Sequence, residues 1–160
     1  MLSKMDNDRD KLIVGLRDIV SSSGDRVSAL QSAAESIKDF GRYRWVGLYD
    51  VDTVAGMVRN IVWSGPGAPE HPTFPITKGL TGSAISTGKA VNVGDVRTDA
   101  RYLTAFGSTR SEIIIPVFDE AGKHVVGTID VESEHRNAFG EDAEAFLLAC
   151  AEALRPLWCR

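Results

Sequence analysis

Three acidic residues, Glu112, Asp130 and Glu132, fall within or beside the two apolar runs of one stretch, Ser111 to Ser133 (SEIIIPVFDEAGKHVVGTIDVES). The runs Ile113 to Phe118 and Val125 to Val131 flank the turn-forming segment Asp119 to Lys123, the pattern of a β-hairpin long enough to sit mid-sheet. If Phe118 faces Lys123 or His124 across the turn, Glu112 falls opposite or diagonal to Asp130, and alternation puts Glu132 on the same face as Asp130. Carboxylates so placed repel one another. A different register, a proton held by one acid, or a cation completing the site would each relieve the repulsion. Taken singly, each acid reads as a solvated strand residue, Glu132 near the strand end most of all. Taken together, they mark a candidate pocket that favours positive charge in its ligand.

A second group with chemical potential is Trp45 and Tyr49 in Arg44 to Asp50, RWVGLYD. Strand alternation sets Trp45, Gly47 and Tyr49 on one face and Val46 and Leu48 on the other. Gly47 leaves a gap between the two rings. They either pack as core beneath a helix or line a cavity, where each adds roughly 0.5 to 2 kcal/mol of attraction for a cation.

Other chemistries lack a foothold. Cys150 and Cys159 are the two cysteines, without CxxC or metal-ligand spacing. On one continuous helix they would lie roughly 13 Å apart at about 1.5 Å per residue, too far for a disulfide, so they read as a buried small hydrophobe and a tail thiol. The segment GLTG, Gly79 to Gly82, lacks the Lys-Ser/Thr ending of a phosphate-binding loop and reads as a packing device. No catalytic residue, metal site or cofactor is expected, and nothing in the chain points to a haem, bilin or cyclic nucleotide.

The elements that must position these groups follow from periodicity. Asp8 to Val20 and Asp25 to Phe40 carry helical apolar stripes, with Gly41 as the expected stop of the second. Arg44 to Asp50 and Met57 to Trp63 alternate as paired strands. Ser64 to Pro75 holds four of the six prolines and is expected to be a long lid loop. A short helix from Leu80 to Thr87 ends at Gly88, and Val91 to Val93 is a short strand. Gly94 to Arg110 is a covering loop anchored by Asp95, Asp99, Arg101 and Tyr102, and Glu141 to Leu154 is a helix. The order predicts an α+β fold: one domain over residues 1–160 with its core at 25–154, a central antiparallel sheet of about six strands, helices on one face and a loop-covered pocket on the other.

Composition sets the remaining bounds. The chain has 160 residues, 43% hydrophobic and 25% charged, and a formal net charge of −4 without a basic cluster, which argues against nucleic acid as a partner. No run approaches the roughly 18 apolar residues of a membrane span, and the start, MLSKMDNDRD, lacks a signal-peptide core, so a cytoplasmic setting is expected.

The strand RWVGLYD, the segment KGLTGSAISTGKAVNVGDV, and the hairpin followed by AFGEDAEAFL together resemble a GAF domain over roughly Asp25 to Leu154. Within GAF domains the chain is most similar to the free methionine-R-sulfoxide reductases, which share the Trp-Val-Gly-x-Tyr strand and the Ser-Glu-Ile and Asp-x-Glu/Asp-Ser parts of the hairpin. That resemblance implies Trp45, Tyr49, Glu112, Asp130 and Glu132 as ligand-binding residues. It also exposes a departure: the positions matching that group's cysteines hold His71, Thr81 and Ala105, and none supplies a thiolate. The resulting expectation is a sensor or regulatory domain that binds an amino-acid-like or cationic small molecule without turnover. The alternatives are a reductase-like enzyme and a structural dimerisation module. A signalling partner protein is expected, and so is a twofold homodimer paired through Leu12, Leu16, Ile19, Leu154 and Trp158, unless these residues pack within one subunit.

Overall fold

The computed structural model describes residues 1–22, 24–104 and 107–159. Helix α1 (Lys4–Ser21) is opened by a capping box in which Ser3 and Asp6 satisfy each other's backbone N–H groups, and Asp25 caps α2 (Arg26–Gly41) in the same acidic manner. α2 ends at Gly41 as expected, but the left-handed cap is Arg42 (φ 53°), whose N–H bonds the Lys38 carbonyl, and glycine at 41 is needed for space because a Cβ there would strike the Tyr43 ring.

Strands β1 (Trp45–Asp52), β2 (Met57–Ser64), β3 (Thr73–Pro75), β4 (Val91–Val93), β5 (Ser111–Phe118) and β6 (Val125–Ser133) form one antiparallel sheet in the order β3-β2-β1-β6-β5-β4. The last three residues of the expected lid loop are β3, which pairs with Met57 to Arg59. The hairpin register also differs from the expectation. Asp119 accepts the backbone N–H groups of Lys123 and His124, holding both in the turn, so Phe118 pairs with Val125. A one-residue irregularity between Val117 and Phe118 then shifts the pairing, so Glu112 faces Glu132, with Asp130 on the diagonal, one of the two placements expected.

One sheet face carries Val46, Leu48, Ile113, Ile115, Ile129 and Val131 against α1, α2 and α4 (Glu141–Leu154). The other carries Trp45, Tyr49 and Ile114 beneath α3 (Gly79–Thr87) and the connecting segments. The surface expected to pair two subunits is largely internal. Leu16 and Leu154 are fully buried within the chain, and Leu12 and Ile19 pack half-buried on the same core. Trp158 lies over Gly127 and donates its indole N–H to the Tyr49 carbonyl at 3.0 Å. Burying these apolar groups within one chain satisfies them without a partner. Among the described residues, no helix is long and apolar enough to cross a membrane.

Candidate functional site

The site is built on three neighbouring strands. On β6, Glu132 is paired with Trp45 of β1 on one side and Glu112 of β5 on the other, while Asp130 is paired with Gly47 and Ile114. Because side chains alternate along each strand, Trp45, Tyr49, Glu112, Asp130 and Glu132 all face away from the helices. All five predicted site residues line a single cavity of about 30 Å³, roofed by Leu80 and Thr81 of α3 and by Phe74, His71 and Leu103 of the connecting segments. That is space for about two water molecules. The gap expected over Gly47 is filled by the Trp45 ring, which a Cβ there would meet at 2.1 Å. Trp45 and Tyr49, with ring centroids 6.4 Å apart, are therefore both core and cavity wall.

None of the acids is solvated. Glu132, expected to be the most exposed, is fully buried, because the loop carrying Tyr102 and Thr109 closes over the end of β6. Asp130 accepts the hydroxyls of Thr128 at 2.8 Å and Thr81 at 3.3 Å. Burial nevertheless raises its pKa to about 7, the two hydroxyls opposing the rise. Glu132 is raised to about 7 by burial and by the charge of Asp130, against the hydrogen bond that Tyr102 donates to Oε1 at 3.2 Å. Thr109 approaches closely enough to favour the charged form, yet forms no hydrogen bond of ordinary geometry, so Thr109 Oγ1 and Glu132 Oε2 are buried without partners among the described residues. Glu112 has no donor among the described residues, and burial together with the other two acids holds its carboxyl well above the ordinary range. Tyr49 is raised likewise, by burial first and then by the neighbouring acids.

Among the described residues lining the cavity there is no Lys or Arg, and no group of three or more His, Cys, Asp or Glu is arranged to hold a metal ion. Two of the positions matched to reductase cysteines, His71 and Thr81, do line the cavity, whereas Ala105 lies outside the described residues. Cys150 is buried in the core on the helix side of the sheet, where burial pushes its thiol up to about 12, and Cys159 is exposed.

Sequence reasoning left out the hydroxyl donors. Thr128 lies two residues before Asp130 on the same strand, so alternation alone places it beside that acid. The reach of Thr81 and Tyr102 to the acids depends on where α3 and a long loop come to rest.

The fold has close counterparts. The free methionine-R-sulfoxide reductase of Neisseria meningitidis, solved in complex with its substrate, superposes with a TM-score of 0.87 at 27% identity, over 99% of this chain and 92% of that one. The type II free methionine-R-sulfoxide reductase of Thermoplasma acidophilum gives a TM-score of 0.76 at 30% identity, over 89% and 94%. In sequence, GAF domain-containing protein A of Dictyostelium discoideum is 25% identical over 138 residues, covering 86% of this chain and 84% of that protein. With the six-stranded sheet, its roofed pocket face and a match of residues 25–155 to the GAF domain, the chain belongs to the GAF domain family.

Proposed function

We propose that this chain is a small-molecule sensor or regulatory domain whose ligand carries an ammonium or other cationic group, as a free amino acid or its oxidised form does, and that it binds this ligand without turnover. The observation that carries the reading is the convergence of three buried carboxylates, one with an oxygen unpartnered among the described residues, on a cavity whose described walls include His71 but no Lys or Arg. Buried acids at such spacing hold protons that they would otherwise release. A ligand ammonium would replace those protons, and the Trp45 and Tyr49 rings add cation–π attraction. The cavity is smaller than an amino acid, so entry requires the roof to shift. The contact from Trp45 Nε1 to the Gly67 carbonyl at 3.1 Å is one tether that must adapt.

The absence of turnover rests on thiol chemistry. Sulfoxide reduction by cysteines needs an attacking thiol and a resolving thiol close together. Thr81 directs its hydroxyl to Asp130 instead, and Cys150 lies across the sheet from the cavity with a thiol that burial keeps protonated. The second reading, a reductase-like enzyme, draws on the likeness to the Neisseria reductase solved with its substrate. A purely structural module is disfavoured, since it would need the acids to face solvent. A cytoplasmic setting, a signalling partner protein and a homodimer belong to the same proposal. The dimer contact would draw on exposed Met5 and Val14 of α1 and Leu148 of α4. Calorimetric titration with free amino acids, methionine sulfoxide and simple anions tests the ligand class. Saturable binding of ammonium-bearing ligands supports it, and binding of anions alone overturns it.

A further inference from the structure

Where α2 ends and β1 begins, a groove of about 370 Å³ opens beside the residues that leave β6. Lys38, Arg42 and Arg44 line it, with Glu134 as the single carboxylate. This sign is unexpected on a chain of net charge −4.

The three cations are poorly neutralised. Arg44 Nη1 is 4.0 Å from Glu134 Oε2, Lys38 Nζ is 3.8 Å from Asp39 Oδ1, and Arg42 has no ion pair among the described residues. Several other arginines are paired tightly, as Arg26 with Asp50 at 2.5 Å and Arg59 with Asp52 at 2.8 Å, although Arg9 Nε, like Arg44 Nε, is buried without a partner among the described residues. Cations at a helix C-terminus are favoured by the helix dipole, which accounts for Lys38 and Arg42. It does not account for Arg44 Nε, which is buried without an acceptor among the described residues. A guanidinium N–H removed from water without an acceptor is costly, and an incoming oxyanion would supply one. Arg42 adds a second irregularity. It adopts the left-handed conformation at φ 53°, unusual for a residue with a side chain, and that turn sets it two residues from Arg44 on the same groove wall.

We propose that this groove is a binding site for a phosphate-bearing small molecule. Arg44 and Arg42 offer planar forks that match phosphate oxygens, and Lys38 adds a mobile point charge. The volume exceeds that of inorganic phosphate and suits a diphosphate or a small phosphorylated molecule. Glu134 repels any anion that enters, so net attraction comes from the three cations that outnumber it. The groove shares no lining residue with the acid cavity, so the proposal stands or falls separately from the ligand class assigned there.

The test is a titration of the ¹⁵N-labelled chain with pyrophosphate at constant ionic strength, following the Nε–Hε resonance of Arg44. A saturable shift is expected, weakened at least tenfold in Arg44→Lys, which keeps the charge and loses the fork, and several-fold in Arg42→Ala. Glu134→Gln is expected to tighten binding. Because Arg42 is exposed, its variant keeps the test decisive should Arg44→Lys disturb folding. A shift that rises without saturating, or that persists unchanged in Arg42→Ala, overturns the site. Citrate binding more tightly than pyrophosphate overturns the phosphate assignment.

Discussion

Glu112 and Glu132 stand directly opposite each other on β5 and β6, both buried, with a donor on Glu132 and none among the described residues on Glu112. Facing carboxylates destabilise a sheet when both are charged, so the pair is tolerated by keeping protons. Asp130 on the diagonal strengthens that tendency. The pocket therefore favours protonated carboxyl groups.

The first prediction concerns stability and pH in the absence of ligand. Asp130 and Glu132, raised to about 7, and Glu112, raised well above its ordinary value, bind more protons folded than unfolded between about pH 4 and 7. Their contribution is fully present below the unfolded pKa values and is lost as pH rises through the folded ones. Melting temperature should fall by several degrees between pH 5 and pH 8. The Glu112→Gln variant should flatten that slope and melt higher at pH 8. A slope identical to the parent chain's would show that the cluster is not the source.

Binding of a cationic ligand should reverse the proton balance. An ammonium beside the acids lowers their pKa values, so binding releases protons and affinity rises from pH 5 to pH 8. Calorimetry in two buffers of different ionisation enthalpy reads the release directly. Asp130→Asn should weaken binding at least tenfold while leaving the fold intact, since the amide keeps the shape and can still meet Thr128 and Thr81.

Thiol-dependent reduction of methionine sulfoxide should not exceed background with thioredoxin or dithiothreitol as reductant. The reason is geometric, because Cys150 is on the far side of the sheet and Cys159 is exposed away from the cavity. Activity that disappears in Cys150→Ser would reverse this reading.

Leu16 and Trp158 separate folding from assembly. Leu16→Glu places a charge in the helix-side core and should cost about 3 kcal/mol or more in denaturant unfolding. Trp158→Ala removes the indole lying over Gly127 and its bond to the Tyr49 carbonyl, and should cost about 2 to 4 kcal/mol.

For the homodimer, light scattering at micromolar concentration should give twice the chain mass. Met5→Glu combined with Leu148→Glu should return it to a folded monomer, since both residues are exposed. A monomer mass for the parent chain would rule out the dimer at that concentration.

Periodicity in the sequence was enough to determine most elements, because apolar spacing of 3.6 or 2 is a local property of residues such as Leu147 and Cys150 in α4 or Val46 and Leu48 in β1. Alternation was enough also to put Trp45 with Tyr49, and Asp130 with Glu132, on one face of their own strands, while the resemblance alone joined these pairs and Glu112 into one site. Register was decided by the tertiary structure: the Asp119 side chain, binding two backbone N–H groups, kept Lys123 and His124 in the turn, and the irregularity between Val117 and Phe118 set Glu112 against Glu132. Burial was decided there too. The apolar ends of the chain gave no sign of whether Leu16 and Leu154 would meet a second subunit or their own sheet, because that depends on how the helices dock. The protonation of the acids belongs to the same class, since it follows from how completely α3 and the loop bearing Tyr102 exclude water, a property of packing over the whole chain that no local spacing encodes.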